Sequence, residues 1–169
     1  VAFSVMVLAI VVMGGVALTN LFRIDHSAQA LYSQGTKPMT ALAQVRVAVE
    51  SNTRLVRQHV IAPDGAAVGA IEQSMREDDA VVLDGLSRFD SAAGTAELRS
   101  AAGEYGTAYR KWMDARDQGV LAASRSGNTS GAYDVIDNQL EPLEGTLTTV
   151  GDKLFADEMA DSAARAEQA

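Results

Sequence analysis

Apolar residues in the last quarter of the chain recur at spacings that alternate between three and four residues. The positions that follow this rule are Tyr133, Ile136, Leu140, Leu143, Leu147, Val150 and Leu154. This spacing puts the apolar side chains on one face of a helix and predicts knobs-into-holes packing at a shallow crossing angle. Three upstream segments show similar spacing, and no segment of useful length shows the period of two expected of a strand. The pattern predicts an all-α protein.

Three short breaks divide the helical pattern: Pro63-Asp64-Gly65, Ala92-Ala93-Gly94 and residues 126–130. Proline, glycine and capping residues in these positions favour turns and helix ends. The breaks predict four helices at about 22–62, 66–91, 95–126 and 129–169, with Thr95 as an N-cap. Four antiparallel helices joined by short turns form an up-down-up-down four-helix bundle. Pro38 lies inside the first helix and is expected either to kink it or to split it.

The N-terminal residues 1–18 contain no charged side chain, and the apolar run extends to Phe22. About 20 apolar residues span a hydrocarbon core of roughly 30 Å. A signal peptide is the alternative, but its cleavage pattern, Ala28-Gln29-Ala30, lies well past the apolar run. We therefore expect a transmembrane helix at 1–22, in contact with membrane lipid, followed by a bundle domain at 23–169. Since the first and last helices are the longest and the sequence ends in mid-helix, we expect a second transmembrane helix to follow.

The composition narrows the function classes. Of the 169 residues, 47% are hydrophobic but only 5% are aromatic, which favours closely packed helices over a β-sandwich. The chain has no cysteine, which excludes a disulfide scaffold, a thiol nucleophile and a cysteine-ligated metal. Its net charge of −8 argues against nucleic acid as a partner.

Motifs for catalysis are missing from the sequence. The two histidines, His26 and His59, are far apart and have no metal-ligand spacing, and there is no phosphate-binding glycine loop or nucleophile elbow. We therefore expect no enzymatic activity, no cofactor and no metal site.

A candidate ligand site lies at the end of the first predicted helix. Arg54 and Arg57 share one side of that helix, and the fourth helix begins at the same end with Thr129 and Tyr133. Guanidinium groups facing hydroxyl groups would suit a carboxylate ligand such as an amino acid or an organic acid. The alternative is that both arginines are surface residues in ordinary ion pairs.

A second candidate feature is a polar layer inside the bundle. Asn52, Asp78 and Arg116 fall on or near the apolar faces of three helices, at similar depths from the turns. A buried charge must be paired, so Asp78 and Arg116 would face each other. Three interpretations of this layer are open. It is an ion pair that fixes the helix register, a set of side chains at the edge of the apolar faces that reach water, or the floor of a ligand cavity.

Two further features lie on apolar faces. His59 is expected to be a core histidine, with a sensing role as the alternative. Tyr105, Tyr109 and Trp112 form an aromatic stripe on the third helix that is expected to be core.

Several segments together resemble the four-helix-bundle sensor domains of bacterial methyl-accepting chemotaxis receptors. The resemblance is carried by the apolar N-terminus followed by Ala30-Leu31-Tyr32 and Pro38, by residues 52–57, and by Leu140-Glu141-Pro142-Leu143. It implies a homodimer in the bacterial cytoplasmic membrane, with the bundle facing the periplasm or the exterior. It also implies a small-molecule ligand near the membrane-distal end and a small shift of the last helix on binding. Similar domains precede histidine kinases and nucleotide cyclases. A membrane-anchored interaction or structural bundle without a small-molecule ligand is the remaining alternative.

Overall fold

The computed structural model describes residues 37–167, all of which form helices or short turns. The helices are α1 (Lys37–Val60), α2 (Gly65–Ala92), α3 (Ala96–Ala115), α4 (Ala122–Arg125), α5 (Thr129–Val135) and α6 (Glu141–Glu167), and two π-helical segments join them, π1 (Arg116–Leu121) and π2 (Ile136–Leu140). Since π1 joins α3 to α4 and π2 joins α5 to α6, the described chain forms four helical rods. The first is α1, the second is α2, the third spans 96–125 and the fourth spans 129–167.

The three predicted breaks are the turns between the rods. Asp64 caps α2 by accepting a hydrogen bond from the Ala67 N–H at 2.8 Å, and Thr95 caps α3 by accepting one from the Leu98 N–H at 3.2 Å. Asn128 does the same for α5. Each cap satisfies an N–H that the first helical turn leaves without an intrahelical partner. The predicted all-α four-helix bundle and its short connections are thereby confirmed.

The bundle core is made mainly of aliphatic side chains from all four rods. Its largest fully buried apolar residues include Trp112, Tyr109, Phe89, Met75 and Leu140. The rods pack most closely in two pairs, α1 with α2 and α3 with α6. The aromatic stripe of the third rod lies in this core, as expected.

A glycine permits the close approach of α1 and α2. A Cβ atom at Gly85 would lie 2.6 Å from Cγ2 of Val45 and 3.4 Å from the Ala41 carbonyl oxygen. No side chain larger than hydrogen fits there without moving one helix or the valine.

The π-helical segments occur where buried positions follow each other by four residues twice. In the third rod these positions are Trp112, Arg116 and Val120, and in the fourth they are Ala132, Ile136 and Leu140. A π-turn holds one more residue than an α-turn, but this spacing does not require one, since Asn52, Val56 and Val60 show it within the regular helix α1. The heptad pattern that began at Tyr133 is wrong at its first position: Ala132 is buried, whereas Tyr133 is 40% exposed.

The predicted outer parts of the chain are described only in part. Pro38 is buried and is the second residue of α1. The predicted kink or split of the helix at Pro38 involves residues before Lys37, which lie outside the described residues. The predicted transmembrane helix at 1–22 and the start of the first predicted helix also lie outside them. Within residues 37–167, none of the helices combines the length and the apolar character required to cross a membrane.

Replacing Gly85 with alanine should destabilise the bundle, because the added methyl group meets Val45 and the α1 backbone. Gly103→Ala is the matched control, since Gly103 is also in a helix interior but has nothing within 4 Å of its Cβ position. We expect Gly103→Ala to raise the free energy of unfolding by up to about 1 kcal/mol, through helix propensity alone. Gly85→Ala should lower it, as measured by chemical denaturation. Equal gains in the two variants would contradict the close approach.

Candidate functional site

A polar layer crosses the middle of the bundle and consists of Asn52, Asp79, Tyr109 and Arg116. These side chains come from α1, α2, α3 and π1, and all four residues are buried. Arg116 donates from Nη1 to Asp79 Oδ1 at 2.9 Å and from Nη2 to Asp79 Oδ2 at 2.8 Å. The Asn52 amide donates to Asp79 Oδ1 at 2.8 Å, and the Tyr109 hydroxyl donates to the same oxygen at 2.7 Å. The layer joins the first three rods.

The acidic member of this layer is Asp79, so the prediction of Asp78 is wrong. Asp78 is half-buried, and it lines a surface groove between α1 and α2. Asp79 lies four residues after the buried Met75 and three residues before the buried Val82, so it faces the core with them. Asn52 and Arg116 lie where the sequence placed them, in contact with each other at 3.3 Å.

The electrostatics of the polar layer favour the register-fixing interpretation. The Arg116 side chain is only 3% exposed, and its Nε donates to Asp117 at 2.7 Å while its guanidinium lies 5.3 Å from the centre of the Trp112 ring. Burial, followed by the Asp79 charge, raises the pKa of the Tyr109 hydroxyl, which therefore remains a neutral donor. A buried charge is stable only when it is paired and its remaining hydrogen bonds are made. The bidentate Arg116–Asp79 pair and the bonds from Asn52 and Tyr109 and to Asp117 meet this requirement.

A second polar cluster surrounds His59 near the turns at 61–64 and 126–128. His59 Nδ1 lies 2.9 Å from the Ser124 hydroxyl, and Nε2 lies 3.1 Å from Glu72 Oε1. Arg125 donates to the same Glu72 oxygen at 2.8 Å. The hydrogen bond from Arg125 is the main cause that lowers the pKa of Glu72 from 4.5 to about 2, with His59 adding to the effect against the opposing influence of burial. His59 is thus a core histidine whose two ring nitrogens are both engaged.

Three of the four predicted ligand-binding residues line one surface groove. Arg54, Arg57 and Tyr133 line this groove, which we call the distal groove after the expected membrane-distal end of the bundle. Thr129 is exposed at the start of α5 and is not part of the lining. The charge of Arg57 is already engaged, because its Nη2 lies 3.5 Å from both Glu141 and Glu144. Arg54 is exposed. The groove therefore has one exposed cation beside one that two carboxylates neutralise.

A recessed cleft of about 290 Å³ lies between α1 and α6, next to the distal groove. We call it the α1–α6 cleft. Its apolar lining consists of Leu42, Val45, Val49, Leu86, Tyr105, Leu147, Leu154 and Phe155. Its polar lining consists of Arg46, Glu50, Thr53, Glu144, Thr148 and Asp152. An apolar wall with a few polar groups is typical of small-molecule sites, and this volume is near their lower limit.

Sequence reasoning missed several buried or half-buried acidic residues, among them Asp79, Glu144 and Glu158. Glu158 is fully buried and bonds to Ser162 and Arg165, near the turn at 93–95. Burial raises its pKa. A signal existed for two of them, since Asp79 and Glu158 each follow a buried position by four residues. Within residues 37–167, no group of His, Cys, Asp and Glu side chains is arranged to hold a metal ion.

Neutralising Asp79 should destabilise the fold strongly, because it leaves the Arg116 charge buried without its partner. We expect Asp79→Asn to lower the free energy of unfolding by about 3–5 kcal/mol. Asp78→Asn makes the same chemical change one residue away and should cost far less. Denaturant titrations followed by circular dichroism measure both, and similar losses would show that the ion pair does not hold the layer.

The Glu72 cluster should contribute to acid sensitivity. Because the folded state lowers the pKa of Glu72 to about 2, its stabilising effect is complete above about 4.5 and is lost as the pH falls towards 2. The parent chain should therefore lose stability between pH 5 and 2, and Glu72→Gln should lose less over that window. Glu77→Gln, which removes an exposed carboxylate from the same helix, is the control. If Glu72→Gln lost as much stability as the parent chain between pH 5 and 2, the Glu72 carboxylate would not be a cause of the acid sensitivity.

Comparison with known proteins identifies the family through a sequence model rather than through individual relatives. A model described as a four helix bundle sensory module for signal transduction matches residues 1–162. The comparison with curated proteins and that with solved structures give no match. The matched range includes the first three rods, most of the fourth and both polar clusters, so the chain belongs to the family of four-helix-bundle sensory modules for signal transduction.

Proposed function

We propose that this chain is the extracytoplasmic ligand-sensing domain of a methyl-accepting chemotaxis receptor. In this proposal a small molecule binds to the bundle, the fourth rod moves relative to the first, and the movement crosses the bacterial cytoplasmic membrane. The uncharged run at 1–22 would anchor the domain, with the bundle on the outer side and two copies forming a homodimer. Family membership supports a sensory role, and the resemblance in the sequence supports the receptor class.

The observation that carries the proposed mechanism is the α1–α6 cleft. Each of its two walls packs more closely on another helix, α1 on α2 and α6 on α3, than the walls pack on each other across the cleft. Arg46 connects the walls at the surface, with its Nη1 at 3.7 Å from Asp152. A ligand between them would change the spacing of the first and last rods directly. A ligand shifts this equilibrium only by its difference in affinity for the two arrangements.

The movement can be measured with spin labels, since the chain has no native cysteine. Labels on Val47→Cys and Ala156→Cys report on α1 against α6, and both positions are exposed. The control pair is Val47→Cys with Glu77→Cys, which reports on α1 against α2. In the membrane-embedded receptor, small amines, carboxylates and amino acids are added in turn at saturation. We expect compounds that bind to shift the first distance and to leave the second unchanged.

A compound that binds without shifting the α1–α6 distance would contradict the displacement mechanism. A shift in both pairs would mean that the first two rods do not move as one unit. If no compound of any class binds, the interaction-protein alternative is favoured over small-molecule sensing.

A further inference from the structure

The charge of the α1–α6 cleft is opposite to that expected of a carboxylate site. Three carboxylates line it, from Glu50, Glu144 and Asp152, against one guanidinium, from Arg46. The Arg46 Nε lies 3.5 Å from Glu50, and its Nη1 lies 3.7 Å from Asp152, so both sides of the guanidinium face carboxylates. The lining therefore carries a net negative charge, which repels an anionic ligand and attracts a cationic one.

Glu144 provides the clearest acceptor in this lining. Its Oε2 lies 3.5 Å from Arg57, while its Oε1 is buried and has no hydrogen-bond partner among the described residues. A buried carboxylate oxygen without a donor is unfavourable and rare in folded proteins. Since Glu144 lines the cleft, a turn of its side chain would bring this oxygen to a donor bound there, and a cationic donor would satisfy it most strongly.

The remaining lining suits an apolar body. Leu147 and Leu154 are buried at the base of the cleft, and Tyr105 and Phe155 add two aromatic rings. Aromatic rings bind apolar groups and also attract cations through their faces. Burial raises the pKa of Tyr105 to about 12, so its ring remains neutral at physiological pH.

We propose that the α1–α6 cleft binds a small amphipathic cation, with an apolar or aromatic body against the leucines and the rings and its ammonium group at Glu144. This inference rests on the proposed sensory function, because it names the ligand class of the cleft between the first and last rods. It replaces the expected carboxylate ligand with an amine.

Binding of three matched compounds to the purified full-length receptor tests the ligand class. Phenethylamine, phenethyl alcohol and phenylacetate share a benzene ring on a two-carbon chain and differ in charge. We expect phenethylamine to bind at least about tenfold more tightly than either of the others by calorimetry, since a hydrogen bond between charged groups exceeds a neutral one. Phenylacetate binding as tightly as the amine would overturn the proposal.

Two pairs of variants test the location. Glu144→Gln should weaken phenethylamine binding about tenfold, whereas Glu141→Gln, which removes the other carboxylate beside Arg57, should leave it within about twofold. Thr148→Trp places a bulky ring at the exposed rim of the cleft and should abolish binding. Thr149→Trp adds the same ring at an exposed neighbour outside the lining and should not. Since both threonines are exposed, these two variants keep the test valid if Glu144→Gln fails to fold.

The outcomes separate this inference from the proposed function. If phenethylamine binds as expected but the α1–α6 distance does not change, the ligand class holds and the displacement mechanism fails. If phenylacetate binds, shifts that distance and loses affinity in Arg54→Gln, the sensor holds and the ligand lies in the distal groove, which overturns the inference. Failure of all three compounds to bind also overturns it, and cross-linking between cleft residues of two chains would then identify a second copy as the occupant.

Discussion

The buried ion pair between Arg116 and Asp79 is the constraint on which the arrangement of the bundle depends. Each charge is tolerated in the core only because the other lies beside it, and Asn52 and Tyr109 complete the hydrogen bonds of the carboxylate. A shift of α2 by one residue would bring Asp78 towards the layer and leave the guanidinium without its bidentate partner. The pair therefore fixes the register of the first three rods, which an aliphatic core alone would specify less strictly.

The fourth rod is joined to the others by a different kind of interaction. Among the described residues it contributes no side chain to the polar layer. Its polar contacts with the first rod are ion pairs at or near the surface, from Arg57 to Glu141 and Glu144 and from Arg46 to Asp152. Such pairs contribute little stability and exchange readily with water. The first three rods are held by a buried layer, whereas the fourth is held by apolar packing and surface pairs. This difference agrees with the proposal that the fourth rod is the element displaced on ligand binding.

Local patterns were sufficient to predict the number of rods, their turns and two members of the polar layer. Turn and cap residues act within three or four positions, so they can be recognised without the fold. The prediction of Asp78 is wrong because the step of four from Met75 to Asp79 and the step of three from Asp79 to Val82 favour Asp79 as the buried position. The exposure of Tyr133 was not predictable in this way. It accompanies a π-helical segment at Ile136–Leu140, and a π-turn changes which positions of a helix face the core.

The charge of the candidate site could not be predicted from one helix at a time. Spacing of three shows that Arg54 and Arg57 share a face of α1, and on that basis the site was expected to attract carboxylates. The groups that neutralise Arg57 are Glu141 and Glu144, which lie 84 and 87 residues later in the chain. The electrostatic preference of a site between rods is the sum of the charges that both walls contribute. Here the fourth rod supplies the excess of carboxylates, and that excess changes the expected ligand from an acid to an amine.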